Sequence, residues 1–353
     1  MGRPAYCVTT GDVVADRDRV LALWQQCGFG GASADNAARY DWLYLRNPQG
    51  LGRLYLLHAP GAGEIVGAAG VGARRFHTTG NSETSQSGIL VDFVVHPAHR
   101  SLFPALVLQK AVCEQEFRSC GFVYGLPVQK AVPVVARLEG AMRFVSSTYV
   151  GVVRTAPFLR RRMPGMPLFV VKLLAVGADL LLRVVQAGLT LASAKVRCVR
   201  ANGEYPDVTS LAAEIAREGD THIGDRSPEV LAWRARSPGR HFEIVTFRRR
   251  RTGELLGYAM YALENADLSI VDFLVPAKNR LARGIWLAIL RMAAELGAKA
   301  VRVEFGGCPR VIAQLRSTGY MHAGFRPGFV IFPANSSGVR RGSWWFTRLD
   351  EDV

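Results

Sequence analysis

The stretch Gly88-Ile89-Leu90-Val91-Asp92-Phe93-Val94-Val95-His96-Pro97-Ala98-His99-Arg100-Ser101-Leu102-Phe103-Pro104-Ala105-Leu106-Val107-Leu108-Gln109-Lys110 changes period in its middle. Ile89, Leu90, Val91, Phe93, Val94 and Val95 form an apolar run broken only by Asp92, as in a strand buried on both faces. Pro97 stops the run. After Arg100-Ser101 the apolar residues take helical spacing, at Ala105, Leu108 and Val112, with Leu106 and Cys113 beside them. Pro104 suits the first turn of that helix, where its missing N–H is not needed. The pattern predicts strand, short polar turn, helix. Such a turn presents backbone N–H groups at a helix N-terminus, where an anion binds.

Outward from this stretch, residues 11–30 read as a helix on Val14, Val20, Leu21, Leu23 and Trp24, ended by Gly28, Gly30 and Gly31. The aromatic segment Tyr40 to Pro48 follows. Strands are expected at Arg53 to Ala59 and Glu64 to Val71, with Pro60-Gly61-Ala62-Gly63 as the hairpin. Arg74 to Ser87 reads as polar. Beyond the central helix come a strand at Phe122 to Leu126, a short helix at Val132 to Leu138 and an apolar piece from Phe144 to Val153.

The second half repeats the first in outline. Val91-Asp92-Phe93-Val94-Val95 recurs as Val271-Asp272-Phe273-Leu274-Val275, and Pro97-Ala98 as Pro276-Ala277. Glu64-Ile65-Val66-Gly67 recurs as Glu254-Leu255-Leu256-Gly257. Trp42 to Pro48 recurs as Trp233 to Pro238, and Gly121 as Gly297. These echoes keep one order, which suggests tandem copies of one fold. The domain expectation is therefore a unit at 1–153, a basic and apolar helical segment at 154–200, and a unit at 201–353. Lys172, Asp179 and Arg183 interrupt Leu168 to Ala194 and argue against a transmembrane helix, each costing about 2.5–3.5 kcal/mol at mid-bilayer. A helix or helical pair packed between domains is one reading of it. The other is an interfacial amphipathic helix with a basic lead-in.

The spacing Arg100-x-x-Phe103-x-Ala105 after a buried strand resembles the acyl-CoA pyrophosphate loop of the GNAT acyltransferases, although Phe103 stands where that family has its middle glycine. Tyr124-Gly125-Leu126-Pro127, the terminal Trp345 to Asp352, and the order of elements add to the resemblance. The chain is similar to tandem GNAT proteins of the kind associated with bacterial polysaccharide and cell-envelope synthesis. The resemblance implies an α+β fold of two units, each a mixed, mostly antiparallel sheet flanked by helices. It further implies direct N- or O-acyl transfer, with acetyl the expected group, from acetyl-CoA or another acyl-CoA to a sugar or cell-envelope precursor. Degenerate tandem scaffolds of a membrane-associated polysaccharide-synthesis complex, and Fem-type transferases that take aminoacyl-tRNA, are the alternatives. The latter usually carry a helical-arm insertion in the second unit, and this sequence shows none.

Acyl transfer needs donors for the pyrophosphate, a hydrogen bond for the thioester oxygen, a base for the acceptor and an acid for the thiolate. The expected donor-binding residues are Val94, Val95, His96, His99, Arg100, Ser101, Leu102, Phe103, Pro104 and Ala105, with backbone N–H groups from Val94 to His96 as oxyanion donors. Asp92 is the base candidate in the first repeat and Asp272 in the second. A carboxylate inside an apolar strand has a raised pKa unless it is paired with a structural Arg. Glu83, in the polar stretch before the central strand, is a further carboxylate expected to reach the same cleft. Tyr124, near the end of its strand, stands where the family often has its general acid. The second repeat's loop, Lys278 to Gly284, is basic but lacks the Arg-x-x-Gly-x-Ala spacing, so the first repeat is the expected donor site and the second an acceptor wall.

Composition limits the partners. The net charge is +15 over 353 residues, which favours polyanions: phosphate-bearing small molecules, an anionic membrane surface or nucleic acid. No helix-turn-helix or zinc-finger context accompanies the charge, so nucleic acid is not the expected partner. The Arg248-Arg249-Arg250-Arg251 hairpin tip is a solvated turn or a contact for anionic lipid or a phosphorylated acceptor. No Cys pair has metal-ligand spacing, and free thiols in a reducing cytoplasm are expected. Residues 1–25 show no signal-peptide core, which predicts a cytoplasmic protein, peripheral at the membrane's inner face if 154–200 binds there.

Overall fold

The computed structural model describes residues 6–31, 33–61, 63–77, 84–219, 221–334 and 343–351. The first half runs β1 (Cys7–Gly11), α1 (Arg17–Gln26), α2 (Ser33–Tyr40), β2 (Arg53–His58), β3 (Ile65–His77), β4 (Thr84–Val95), α3 (Leu102–Glu116), β5 (Val123–Gly125), α4 (Val132–Val135) and β6 (Ala141–Val152). Two helices follow, α5 (Ala156–Arg162) and α6 (Leu168–Ser193). The second half runs β7 (Val196–Arg200), α7 (Thr209–Gly219), β8 (Thr221–Gly224), α8 (Pro228–Ala235), β9 (Glu243–Arg249), β10 (Leu255–Glu264), β11 (Asp267–Leu274), α9 (Ala282–Glu295), β12 (Ala300–Phe305), α10 (Pro309–Ser317), β13 (Tyr320–Ile331) and β14 (Ser343–Trp345).

The strands join in a 14-stranded sheet whose main path is β1-β2-β3-β4-β5-β13-β6-β12-β11-β10-β9-β7. The pairs along this path are antiparallel except β4–β5 and β11–β12. The expected α+β class is what the chain adopts. The register holds a feature absent from the sequence pattern: the halves exchange their last long strands. β13 lies against β5, with Phe329 opposite Gly125. β6 lies against β12, with Ala300 opposite Val152. β6 and β13 then pair with each other from Tyr320 opposite Gly151 to Ile331 opposite Ala141. Each half therefore completes its neighbour's sheet, and the hydrogen bonds of β5 and β12 depend on both.

A second contact ties the halves through the predicted repeat. Trp42 and Trp233 stack with ring centroids 4.2 Å apart and planes 7° apart. The Nε1–H of Trp42 donates to Trp233 O at 3.0 Å, and that of Trp233 donates to Trp42 O at 3.0 Å. Arg74 lies over Trp233 and Arg234 over Trp42. Buried indole N–H groups need partners, and here each repeat supplies the other's.

Several local expectations change. Cys7–Gly11 is an edge strand, and α1 begins at Arg17 because Asp12 accepts hydrogen bonds from the N–H groups of Val14 and Ala15 in a turn. Val14, read as a helix position, is exposed. Arg74 to Ser87 is not a polar loop throughout: β3 extends to His77 and β4 starts at Thr84. Alternation along these ends was masked by charged and small residues that the paired strands bury, such as Arg74 and Ser87. Val196–Arg200, read as the end of the linking segment, is β7, in antiparallel register with β9.

Candidate active site

The central stretch folds as its change of period predicts. β4 pairs with β3 along its length but meets β5 only at Gly88–Val123 and Ile89–Tyr124. Beyond Ile89 the two parallel strands splay, so the β5-facing edge of residues 90–95 lacks a ladder partner among the described strands. The β3–β4 register shifts between Ala68 and Gly70, opposite Asp92 and Phe93, and Asp92 takes φ +50. A non-glycine residue with positive φ in a strand marks a bulge, and bulges re-aim side chains beside functional sites. At the closed end α3 is pinned to the sheet: Arg53 Nε donates to Glu116 Oε1 at 2.6 Å, and Tyr55 OH to the same oxygen at 2.6 Å.

A cavity of about 440 Å³ opens in the splay. Phe93, Val94 and Val95 form one wall and Arg100, Ser101, Leu102 and Ala105 another. Of the sequence-predicted donor residues, Val94, Val95, Arg100, Ser101, Leu102 and Ala105 thus meet in one place. Ser101 is the N-cap of α3 but makes no side-chain capping bond, so its helix end keeps N–H groups for another acceptor. The Arg100 Nε donates to Val95 O at 3.3 Å, tying the loop to the strand end.

The other predicted residues shape the loop from outside the cavity. His96 Nδ1 accepts from Ala98 N–H at 3.3 Å and caps the turn Pro97–His99. His99 Nδ1 meets Tyr6 OH at 2.9 Å. Pro104 is buried in the first turn of α3. Phe103 is exposed, with its ring near Tyr6, and does not line the cavity. His96 is corrected as an oxyanion donor: its N–H is spent on Val66 O at 2.7 Å.

The walls that sequence reading missed come from elsewhere. Cys27, Gly28 and Phe29 follow α1, and Val128, Lys130, Ala131, Pro133 and Val134 surround the start of α4. Their two sequence signals were the glycine cluster after α1 and the Pro127 turn after β5. Gly28 has φ +63, a left-handed turn that glycine permits without strain. Burial raises the Cys27 thiol pKa, with the Arg100 charge opposing it.

The carboxylate and phenol candidates lie apart from this cavity. Asp92 is buried: its Oδ1 accepts from Arg39 at 2.7 Å and its Oδ2 from Tyr44 OH at 3.0 Å. That is the pairing with a structural Arg that the sequence left open. Tyr124 is fully buried, donates to Asp350 O at 2.8 Å, and has its pKa raised by burial. Asp272 is fully buried in a network with Arg226, Thr347, Tyr258 and Asp350. Burial raises its pKa while Arg226 opposes the shift. Glu83 lies outside the described residues. Among the described residues no group of His, Cys, Asp and Glu is arranged to hold a metal ion.

The second half differs at the matching place. Phe273, Leu274 and Val275 are wholly buried. Trp345 packs on Phe273 and Phe305, and its Nε1–H donates to Phe273 O at 3.2 Å. The strand end that lines a cavity in the first half is covered here by an indole.

No protein-family model matches the sequence, and no curated protein matches it. Solved structures do share its fold. A probable N-acyltransferase from Enterococcus faecalis V583 superposes with a TM-score of 0.60 at 9% identity, over 94% of this chain and 73% of that one. A GCN5-related N-acetyltransferase from Kribbella flavida gives 0.59 at 12% identity, over 93% and 72%. A tandem GNAT protein from the clavulanic acid biosynthesis pathway gives 0.50 at 14% identity, over 95% and 100%. The fold is that of the GCN5-related N-acetyltransferases.

Proposed function

We propose that the chain is an acyl-CoA-dependent N- or O-acyltransferase of two GNAT-like units, 1–153 and 201–353, joined by 154–200. In this reading the donor, acetyl-CoA or another acyl-CoA, binds in the first unit. The acceptor is a sugar or cell-envelope precursor, and the reaction runs at the inner face of an anionic membrane reached through 154–200. The observation that carries the reading is the cavity in the β4–β5 splay, where Val94, Val95 and Ala105 offer an apolar lining beside Arg100 and the uncapped start of α3. An apolar trough ending at cationic and N–H donors suits a ligand with an apolar arm and a pyrophosphate.

The chain's own groups then have separate tasks. The N–H groups at the start of α3, with Arg100 and Lys130, hold phosphate. The unpaired edge of β4 at Val95 offers a backbone donor for the thioester oxygen as it gains charge. The acceptor's nitrogen or oxygen bonds to the acyl carbon, the C–S bond breaks, and a proton goes to the departing thiolate. Cys27, whose thiol pKa burial raises, is a wall residue able to give that proton and to be restored by the one the acceptor releases as its bond to the acyl carbon forms. Asp92 acts as a positioning residue: it holds Arg39 and Tyr44 around the bulge that aims the β4 edge. Tyr124 ties the first half to Asp350 of the second, and Asp272 anchors a buried network within the second half. The second unit, with Trp345 over its strand end, is a scaffold and acceptor wall.

Calorimetry with acetyl-CoA and a longer acyl-CoA tests this. One donor per chain is expected, with affinity lowered about tenfold or more in Arg100→Ala, because a charge-assisted bond contributes about 1.5–3 kcal/mol. Absence of binding to both donors, or binding untouched by the substitution, would remove the reading. A screen of amino sugars and envelope precursors then identifies the acceptor.

A further inference from the structure

α5 and α6 pack on each other, and α6 packs on α9. Asp179 of α6 accepts from the Thr155 N–H at 2.6 Å, and the Thr155 hydroxyl donates to Ala175 O at 3.2 Å. Val171 and Ala175 are buried on the packed side. On the opposite side Phe169, Leu173, Val176 and Leu180 stand 73%, 73%, 66% and 62% exposed. Their spacing of four, three and four residues places them in one stripe of the helix. An apolar row this exposed is unusual on a soluble surface and marks a docking face.

Charge selects the occupant. Between Arg154 and Arg200 the sequence holds nine basic residues and one acidic residue, Asp179. That carboxylate is spent on the Thr155 N–H. Lys172 borders the stripe and is exposed, as is Arg160 on α5. Among the described residues no helix is long and apolar enough to cross a membrane. An apolar stripe with cationic flanks, on a helix whose length is interrupted by Lys172, Asp179 and Arg183, is the pattern of a helix lying in a bilayer interface.

We infer that α6 docks in the plane of an anionic bilayer, with Phe169, Leu173, Val176 and Leu180 below the headgroups and Lys172 and Arg160 on the phosphates. This deepens the membrane-surface part of the proposed function and rests on it for its biological place. The surface itself is independent of the donor cavity. Helix α6 packs on α9 of the second half, so docking leaves the β4–β5 splay uninvolved.

Vesicle co-sedimentation of the full chain tests it, with vesicles of phosphatidylcholine alone and of phosphatidylcholine mixed equally with phosphatidylglycerol. Sedimentation with the anionic vesicles only is expected. Leu173→Glu/Leu180→Glu should weaken it about tenfold or more, since affinity follows the apolar area buried. Arg160→Glu/Lys172→Glu should weaken it through charge alone, and its folding is not at risk from an exposed apolar loss. Failure of the parent chain to sediment with anionic vesicles overturns the inference. So does binding unchanged in the Leu173→Glu/Leu180→Glu variant, which would shift attention to the Arg248–Arg251 tip. A lipid-free dimer in analytical ultracentrifugation, dispersed by Leu173→Glu/Leu180→Glu, would assign the stripe to a second copy and overturn it as well. Donor calorimetry on the same samples separates these outcomes from a failure of the acyltransferase reading.

Discussion

The loop residue that departs from the GNAT pattern, Phe103, proves compatible with an open cavity because its side chain points to solvent beside Tyr6. Glycine is needed where φ is positive or a Cβ would collide, and Phe103 is not among the positive-φ residues. The residue-scale surprise is Cys27. Its pKa lies above the ordinary thiol value, so less thiolate is present near pH 8 and reactivity should rise only at higher pH. Mass spectrometry of the Cys27 peptide after iodoacetamide treatment should show slower alkylation than a free thiol at that pH. Saturating acyl-CoA should slow it further if the donor fills the cavity. Equal labelling with and without donor would place the donor elsewhere.

Helix α3 is the element on which the site depends, and its orientation rests on an ion pair as well as on Leu108 and Val112. Glu116 is fully buried and receives Arg53 and Tyr55 together. Removing one partner of such a pair strands the other, at a cost of about 3 kcal/mol for a largely buried pair. Glu116→Ala should therefore lower the urea midpoint by that order and weaken acyl-CoA binding, because the start of α3 would tilt from the cavity. Glu116→Gln, which keeps one acceptor oxygen but loses the charge and the second acceptor, should fall between the parent and Glu116→Ala. The strand-turn-helix order around this element was legible from its periodicity. Its tether was not: Arg53 and Glu116 lie 63 residues apart, and no local pattern announces such a pair.

At the scale of the whole molecule the exchanged strands make the halves interdependent. A fragment of residues 1–153 would keep β6 without β12 and β5 without β13. Exposed strand edges recruit other chains. Such a fragment is expected to self-associate or aggregate, whereas co-expression with 154–353 should restore a soluble complex, as size-exclusion chromatography would show. A stable monomeric fragment would contradict this. Trp233→Ala, which empties the reciprocal stack between the halves, should cost about 3–5 kcal/mol, the range for a large buried aromatic, and should lower both halves' stability in one transition.

The sequence by itself determined the α+β class, the echo of one half in the other and the strand-turn-helix order of 88–116, because each is written in local periodicity and spacing. Hydrophobic pattern dictates which face is buried, and Arg100 to Ala105 sit close together in the chain. Only the tertiary structure decided which candidates share the cavity. Asp92, Tyr124 and Asp272 look catalytic as polar groups in apolar strands, yet Arg39, Asp350 and Arg226 satisfy them from distant segments. The strand exchange, the indole over Phe273 and the Cys27 wall likewise arise from contacts between segments far apart in sequence. Burial sets a strong demand that a polar group find a partner, but it leaves the partner's identity to the fold.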